Sequence, residues 1–387
     1  MALAWKAGWG QPLESSNLSS SAPSEPSETH LIEDLAESFR RGGGQETRLP
    51  PLYRRISAGT AEDAEVRDLL LETPREQRQP MLLFAAVHYL LLSGAEHRLA
   101  RWYPTVGGRA DRVSDGDPYA DFRDFVLGRR AQVTELLATR STQTNEIGRC
   151  AVLRPAWAIL TQEVRAPLGL IDLGSSAGLN LLLDQWAYSY SPGGPRYGDP
   201  SRDVLVEAES RGAPLPALGP ADVRSRVGID LHPIAVGDDV AVRWLLACVW
   251  AEQVTRFQRL QAAIEVARTR PPRVVAADIV EVLPSLAADI PEDRHLAIQN
   301  SWVLNYFPAP ARQRLKSVMA ELGATRDLSW VSIESPEFAP GLDYPPRPDG
   351  VDGGGASVAV LSTWRDGQKA VRRLADCHPH GSWVHWW

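Results

Sequence analysis

The chain has 387 residues, a formal net charge of -7 at pH 7, 44% hydrophobic and 23% charged residues. This is ordinary globular composition, long enough for about two domains, and its acidity argues against nucleic acid as a partner. The three cysteines, Cys150, Cys248 and Cys377, are scattered with no CxxC spacing, which argues against a zinc ribbon or a disulfide framework.

The first residues lack an apolar stretch long enough for a signal peptide. Residues 1–28 are rich in Ser, Pro and Glu and read as a disordered tail. The longest apolar run, Met81 to Leu92, is short of the roughly 20 residues that a membrane span needs. These features predict a cytoplasmic protein with no membrane partner.

From 29 to 165 the pattern predicts an all-helical domain. Leu31, Ile32, Leu35 and Phe39 share one helical face, and Thr60 precedes AEDAEVRDLLLE with Asp63 placed as a capping acid. Gln79 to Ser93 reads as a buried helix that carries His88 as a hydrogen-bonded core histidine. Further helical runs are Asp121–Arg140 and Gly148–Val164, the latter kinked at Pro155.

From 166 to 387 short apolar runs alternate with helical ones. Strands are predicted at 168–173, 226–230, 273–278, 295–300, 328–334, 357–363 and 382–387. Helices are predicted at 177–186, 239–268, 310–322 and 367–376. The fold class is therefore α/β: a doubly wound, mostly parallel, Rossmann-like sheet joined to the helical domain. Residues 187–225 break the rhythm and read as an insertion. Its aromatic start, Trp186, Tyr188, Tyr190 and Tyr197, forms either a small core of its own or a substrate pocket. At the end of the chain, Cys377, His378 and His380 crowd too closely for an ordinary structural zinc set, and Trp383, His385 and Trp387 alternate as a last strand does. No metal site is expected.

The stretch 168-LGLIDLGSSAGLNLLLDQW-186 carries the chemistry. Asp172 closes a strand, and Gly174, Ser176 and Gly178 follow at two-residue steps, with Ser175 between. Gly174 permits a tight turn, Ser176 lets a ligand approach the backbone, and Gly178 allows close packing. A P-loop would need GxxxxGK[ST], and the lysine is missing. A dinucleotide fingerprint would need glycines where Ser176 and Leu179 stand. The pattern D-x-G-x-S-x-G resembles the first motif of class I S-adenosylmethionine (SAM) methyltransferases.

That resemblance implies a cofactor, S-adenosylmethionine, with Asp172, Gly174, Ser175, Ser176 and Gly178 at its methionine end. It implies an acid after the second strand for the ribose, which Asp230 supplies with Leu231 beside it. It implies a third acid near the adenine, which is Asp278 with Ile279 beside it. Glu207 and Glu209 rival Asp230 but fall in the insertion. Asp230 and Asp278 are also the kind of residue that caps a helix.

The combination TQTNE-x-GR (142–149), LGSSAGLNLLLD, YGDP (197–200), GIDLHP, RWLLACVW (243–250) and CHPHGSWVHW resembles the bacterial domain-of-unknown-function family 2332, common in actinobacteria and methyltransferase-like in fold. The resemblance runs from about 30 to the C-terminus. It implies that Asn145, Glu146 and Arg149 fold over the cofactor, although Glu146 and Arg149 are also spaced as a surface pair. It leads one to expect a histidine after the fourth strand, where this chain has Asn300 and Ser301. An asparagine there can accept a hydrogen bond but cannot take a proton.

The residues accordingly point to a SAM-binding methyltransferase acting on a small molecule, with Asn300, Ser301 and Glu146 nearest the chemistry. Two alternatives stand beside it. One is non-methylating chemistry in the same fold, such as acyl or aminoacyl transfer or a rearrangement. The other is a non-catalytic interaction protein with a degenerate site.

Overall fold

A computed structural model describes residues 28–44, 49–74, 77–109, 116–199, 201–215, 219–336, 344–350 and 355–387. Apart from Glu28, the tail read as disordered lies outside these residues. The chain divides into two compact units, one made of the residues up to Thr144 with Arg243–Gln258, the other of Asn145–Val242 with Arg259–Trp387.

The first unit is helical: α1 (Glu28–Gly43), α2 (Pro51–Ala61), α3 (Ala64–Arg67), α4 (Pro80–Leu92), α5 (Pro118–Gly128) and α6 (Arg130–Thr139). Asp63 caps α3 by accepting the N–H groups of Glu65 and Val66, whereas Thr60 lies inside α2 and donates to the Ile56 carbonyl. The α4 helix is apolar on every side because it is buried on nearly every side. Its His88 is fully buried, with Nδ1 3.1 Å from the Ala247 carbonyl and Nε2 2.7 Å from Thr105 Oγ1. Burial pushes the imidazole down to about 4, so the ring is neutral. No helix among the described residues is long and apolar enough to cross a membrane.

The second unit opens with α7 (Cys150–Val164) and holds β1 (Leu168–Leu173), β2 (Ala187–Ser191), β3 (Arg196–Tyr197), β4 (Leu205–Gly212) and β5 (Val223–Asp230). The chain enters the helical unit within α8 (Asp239–Ala247) and returns within α9 (Val254–Thr269). Then come β6 (Val274–Ala276), α10 (Ile279–Ala288), β7 (His295–Ser301), α11 (Ala309–Thr325), β8 (Leu328–Glu334), β9 (Ser357–Arg365), β10 (Gln368–Cys377) and β11 (Trp383–Trp386). The strands make one sheet in the order β3-β2-β4-β11-β10-β9-β8-β7-β1-β5-β6.

The fold is thus mixed α/β with a large, mostly parallel sheet. The pairs β5–β6, β1–β5, β1–β7 and β7–β8 are parallel; β8–β9 and β9–β10 are antiparallel. The central strand β1 is buried along its length, which is why it reads as continuously apolar. On one face Ile171, Leu173, Ile298 and Leu328 pack against Leu283 of α10 and Leu315, Val318 and Met319 of α11. On the other, Gln299 accepts from Trp157 Nε1 of α7 at 2.7 Å.

Four expectations are corrected. The run after β1 is a 3-10 segment, Leu179–Gln185, broken at Leu182, and not a regular helix. The helix expected over 367–376 is instead strand β10, Gln368–Cys377. Asp366 and Gly367 both have positive φ and form the hairpin turn from β9. The supposed insertion supplies β2, β3 and β4 to the same sheet, joined to the rest through β11. Trp186, Tyr188, Tyr190 and Tyr197 are buried there, and the Arg154 guanidinium lies 3.8 Å over the Tyr197 ring. The predicted helix 239–268 is two helices, α8 and α9.

Candidate functional site

The parallel strands β5, β1, β7 and β8 bring their carboxyl ends to one edge of the sheet. Open α/β sheets bind ligands at that edge, where the chain order reverses, here on either side of β1.

Asp172 sits at this edge on the α7 side, buried, with Ser175 Oγ 2.8 Å from its Oδ2. Burial pushes its carboxyl up to about 7; hydrogen bonds from Ser175 and Gln299 and the charge of Arg149 pull it down, while Asp230 pushes it up.

The turn that follows has Gly174, Ser176 and Gly178 all at positive φ, 71°, 53° and 73°. A Cβ on Gly174 would overlap Val303, so no other residue fits that turn. The N–H groups of Gly174 and Ser175 donate to the Ile229 carbonyl. The N–H of Ser176 donates to Asp230 Oδ2 at 2.8 Å, and that of His232 to Oδ1 at 2.9 Å. Asp230 thereby ties the turn after β1 to the end of β5. The neighbouring Leu231 is one of three large apolar side chains left exposed among the described residues. Asp278 is exposed and caps α10 through Oδ1, and Ile279 is buried. The N–H of Ala277 donates to the Asp230 carbonyl, which joins the ends of β5 and β6.

Asn145, Glu146 and Arg149 converge on the same edge. Asn145 Oδ1 accepts the Leu179 N–H at 3.1 Å. Glu146 is buried and pairs with Arg259 at 3.0 Å, while Arg149 donates from Nε to the Pro379 carbonyl and from Nη1 to the Ser301 carbonyl. Glu146 and Arg149 are thus each tied to residues far along the chain. Asn300 is fully buried. Its Nδ2 donates to Ser332 Oγ and Glu334 Oε1, and its Oδ1 accepts from Trp330 Nε1. Trp302, next to Ser301, holds a positive φ of 57°. With Ser176, it makes two strained non-glycine residues at this edge, and such strain gathers at functional sites. Glu207 and Glu209 lie on β4, toward the far edge of the sheet.

Sequence reasoning missed Glu334. It is the last residue of β8 and fully buried, and its Oε1 accepts from Asn300 Nδ2 at 2.7 Å, the Val303 N–H at 2.9 Å and the Leu304 N–H at 3.1 Å. Its Oε2 has no hydrogen-bond partner among the described residues. Burial pushes its carboxyl up to about 7, against the three donors and the charge of Arg149. The signal was present: LSWVSIE ends in an acid just as the strands of Asp172 and Asp230 do. Among the described residues, no three His, Cys, Asp or Glu side chains gather as a metal site.

The strand-end edge thus brings buried carboxyls with raised pKa beside a tight glycine turn. The family described as "Uncharacterized protein conserved in bacteria (DUF2332)" matches residues 36–386, and the chain belongs to it. No curated protein and no solved structure matches the chain.

Proposed function

We propose that the strand-end edge binds S-adenosylmethionine and that the protein is a SAM-dependent methyltransferase acting on a small molecule. The observation that carries this reading is Asp230, whose carboxylate holds the Gly174–Gly178 turn and keeps spare lone pairs for hydroxyl donors. The order of the parallel strands supports the reading: counted in chain order, β6-β5-β1-β7-β8 run 3-2-1-4-5, an order that doubly wound nucleotide-binding sheets also use.

The residues fit the group. Asp230 would receive the ribose hydroxyls, the exposed Leu231 would lie against the base, and Asp278 would stand on the adenine side with its Oδ2. Asp172, Gly174, Ser175, Ser176 and Gly178 would line the methionine end, closed by Asn145 and Arg149. When bound, the cofactor supplies an electrophilic methyl group. The protein supplies orientation and a place for the acceptor's proton. Asn300 and Ser301 act through their neighbours: Asn300 orients Glu334, and the Ser301 carbonyl holds Arg149 in place.

Calorimetry with SAM tests this. Wild-type protein binds, and Asp230→Ala weakens binding by about tenfold or more, equivalent to about 1.4 kcal/mol. A cation brought beside Asp172 favours its ionised form, so binding at pH 7 releases protons and the measured heat varies with the buffer. Wild-type protein without measurable SAM binding overturns the reading.

A second reading, acyl or aminoacyl transfer or a rearrangement at the same edge, is favoured by the two buried carboxyls at about 7. Turnover of SAM to S-adenosylhomocysteine counts against it.

A further inference from the structure

We infer that Glu334 is the proton acceptor of this site and that the acceptor substrate reacts through a neutral hydroxyl or N–H group. For the donor, the inference rests on the methyl-transfer reading; for the role of Glu334, it rests on geometry alone.

Glu334 is placed as a fixed base should be. One carboxyl oxygen is pinned by three donors from two directions, Asn300 on β7 and the N–H groups of Val303 and Leu304 just beyond it. That leaves the side chain a single orientation. The other oxygen, Oε2, is buried with no partner among the described residues. A buried carboxylate oxygen left unpaired is destabilising, so it is a group that a fold built for stability alone would satisfy or replace. One residue past Leu304, Asn305 repeats the pattern: it is buried, and neither its Oδ1 nor its Nδ2 has a partner among the described residues. Its amide offers a donor and an acceptor side by side, which suits an acceptor substrate whose N–H or O–H stands next to a carbonyl.

Among the described residues, two charged or titratable groups stand around Glu334. Arg149, from the segment before α7, favours the carboxylate; Tyr344, whose hydroxyl is also buried and unpartnered among the described residues, lies beside it. Burial outweighs Arg149 and the three donors, and the carboxyl titrates at about 7, where a general base works best.

In the reaction, the acceptor's proton passes to Glu334 Oε2. The acceptor's electron pair forms the new bond to carbon and displaces the sulfur, which leaves with the electrons of the broken carbon–sulfur bond. Carboxylate and sulfonium charges cancel, and no further reactant is needed. An asparagine at position 300 is then explained. It does not take the proton but aims the residue that does.

Labelling with dicyclohexylcarbodiimide, which attacks protonated carboxyls within reach of a small apolar molecule, tests the inference on the intact protein without SAM or substrate. Peptide mass mapping is expected to find an adduct on Glu334 that falls roughly tenfold between pH 6 and pH 8. Asn300→Ala removes a donor to the carboxylate and moves the midpoint upward; Glu334→Gln abolishes the adduct while SAM binding persists. A folded protein with Glu334 unlabelled throughout this range has a sealed, structural carboxyl, and the inference falls. SAM calorimetry on the same samples reports separately on the methyl-transfer reading.

Discussion

Glu334 and Asp376 stand on one rung of the sheet, with Val358 of β9 between them. Both carboxyls are buried, and two strand spacings put them about 10 Å apart. Their partners differ. Asp376 meets two guanidinium groups: Arg373 donates from Nε to Oδ1 at 3.0 Å, and Arg347 Nη1 lies 3.1 Å from Oδ2, an ion pair without hydrogen-bond alignment. Among the described residues, Glu334 meets only neutral hydrogen-bond donors, and on one oxygen alone. Burial by itself therefore does not mark a functional acid. The informative quantity is what compensates the charge: a buried carboxylate closed by arginines is a structural tie, while one held half-open by amides stays free to exchange a proton.

The sharpest way to break this comparison is to remove an arginine from Asp376. Arg373→Met leaves a buried carboxylate with one cation instead of two, and chemical denaturation should show a loss of about 3 kcal/mol. A loss below about 1 kcal/mol would place Asp376 in the same class as Glu334.

The next effect is in pH dependence. The Glu334 carboxyl is raised from 4.5 to about 7 in the folded protein, so the native state holds its proton more tightly than the unfolded chain does. Its contribution is full below pH 4.5 and is lost as pH rises toward 7, with a slope of at most about 1.4 kcal/mol per pH unit. Asp172 adds a fall of the same sign. His88, lowered to about 4, acts oppositely: its contribution is present above pH 6.5 and is lost as pH falls toward 4. Glu334→Gln should flatten the decline above pH 4.5 in denaturation midpoints, and an unchanged slope would contradict the assignment. The smallest effect belongs to Arg372, next in sequence to Arg373. Its pair with Glu163 is exposed, so Arg372→Ala should change stability by less than about 0.5 kcal/mol.

How much of this was legible depends on the element. The strand ends of β1 and β5 are bounded by acids that the sequence displays, and the turn at 174–178 follows from its glycines. Burial along whole strands made β7 and β8 readable as apolar runs. Two readings failed for physical reasons. Leu179–Gln185 has helical composition, but the chain must turn at once into β2, so a short 3-10 segment replaces a helix. In β10, alternation is lost where Leu374, Ala375, Asp376 and Cys377 are buried in succession, and the hairpin signal lies just before it, in the Asp366–Gly367 turn. The sequence marks Glu334 only as one more acid at a strand end; what sets it apart, an unfilled hydrogen bond, is a property of packing.

The four residues of β11 have a consequence for how the protein is made. Among the described residues they are the one link in the sheet between β4, with β2 and β3 beyond it, and β10: Glu209 pairs with Trp383, and Trp386 with Ala375. During synthesis, β2, β3 and β4 leave the ribosome with their inner edge open and wait until β11 has been translated. An exposed strand edge is a template for wrong pairing. The interval between translating β4 and β11 therefore leaves that edge open to mispairing.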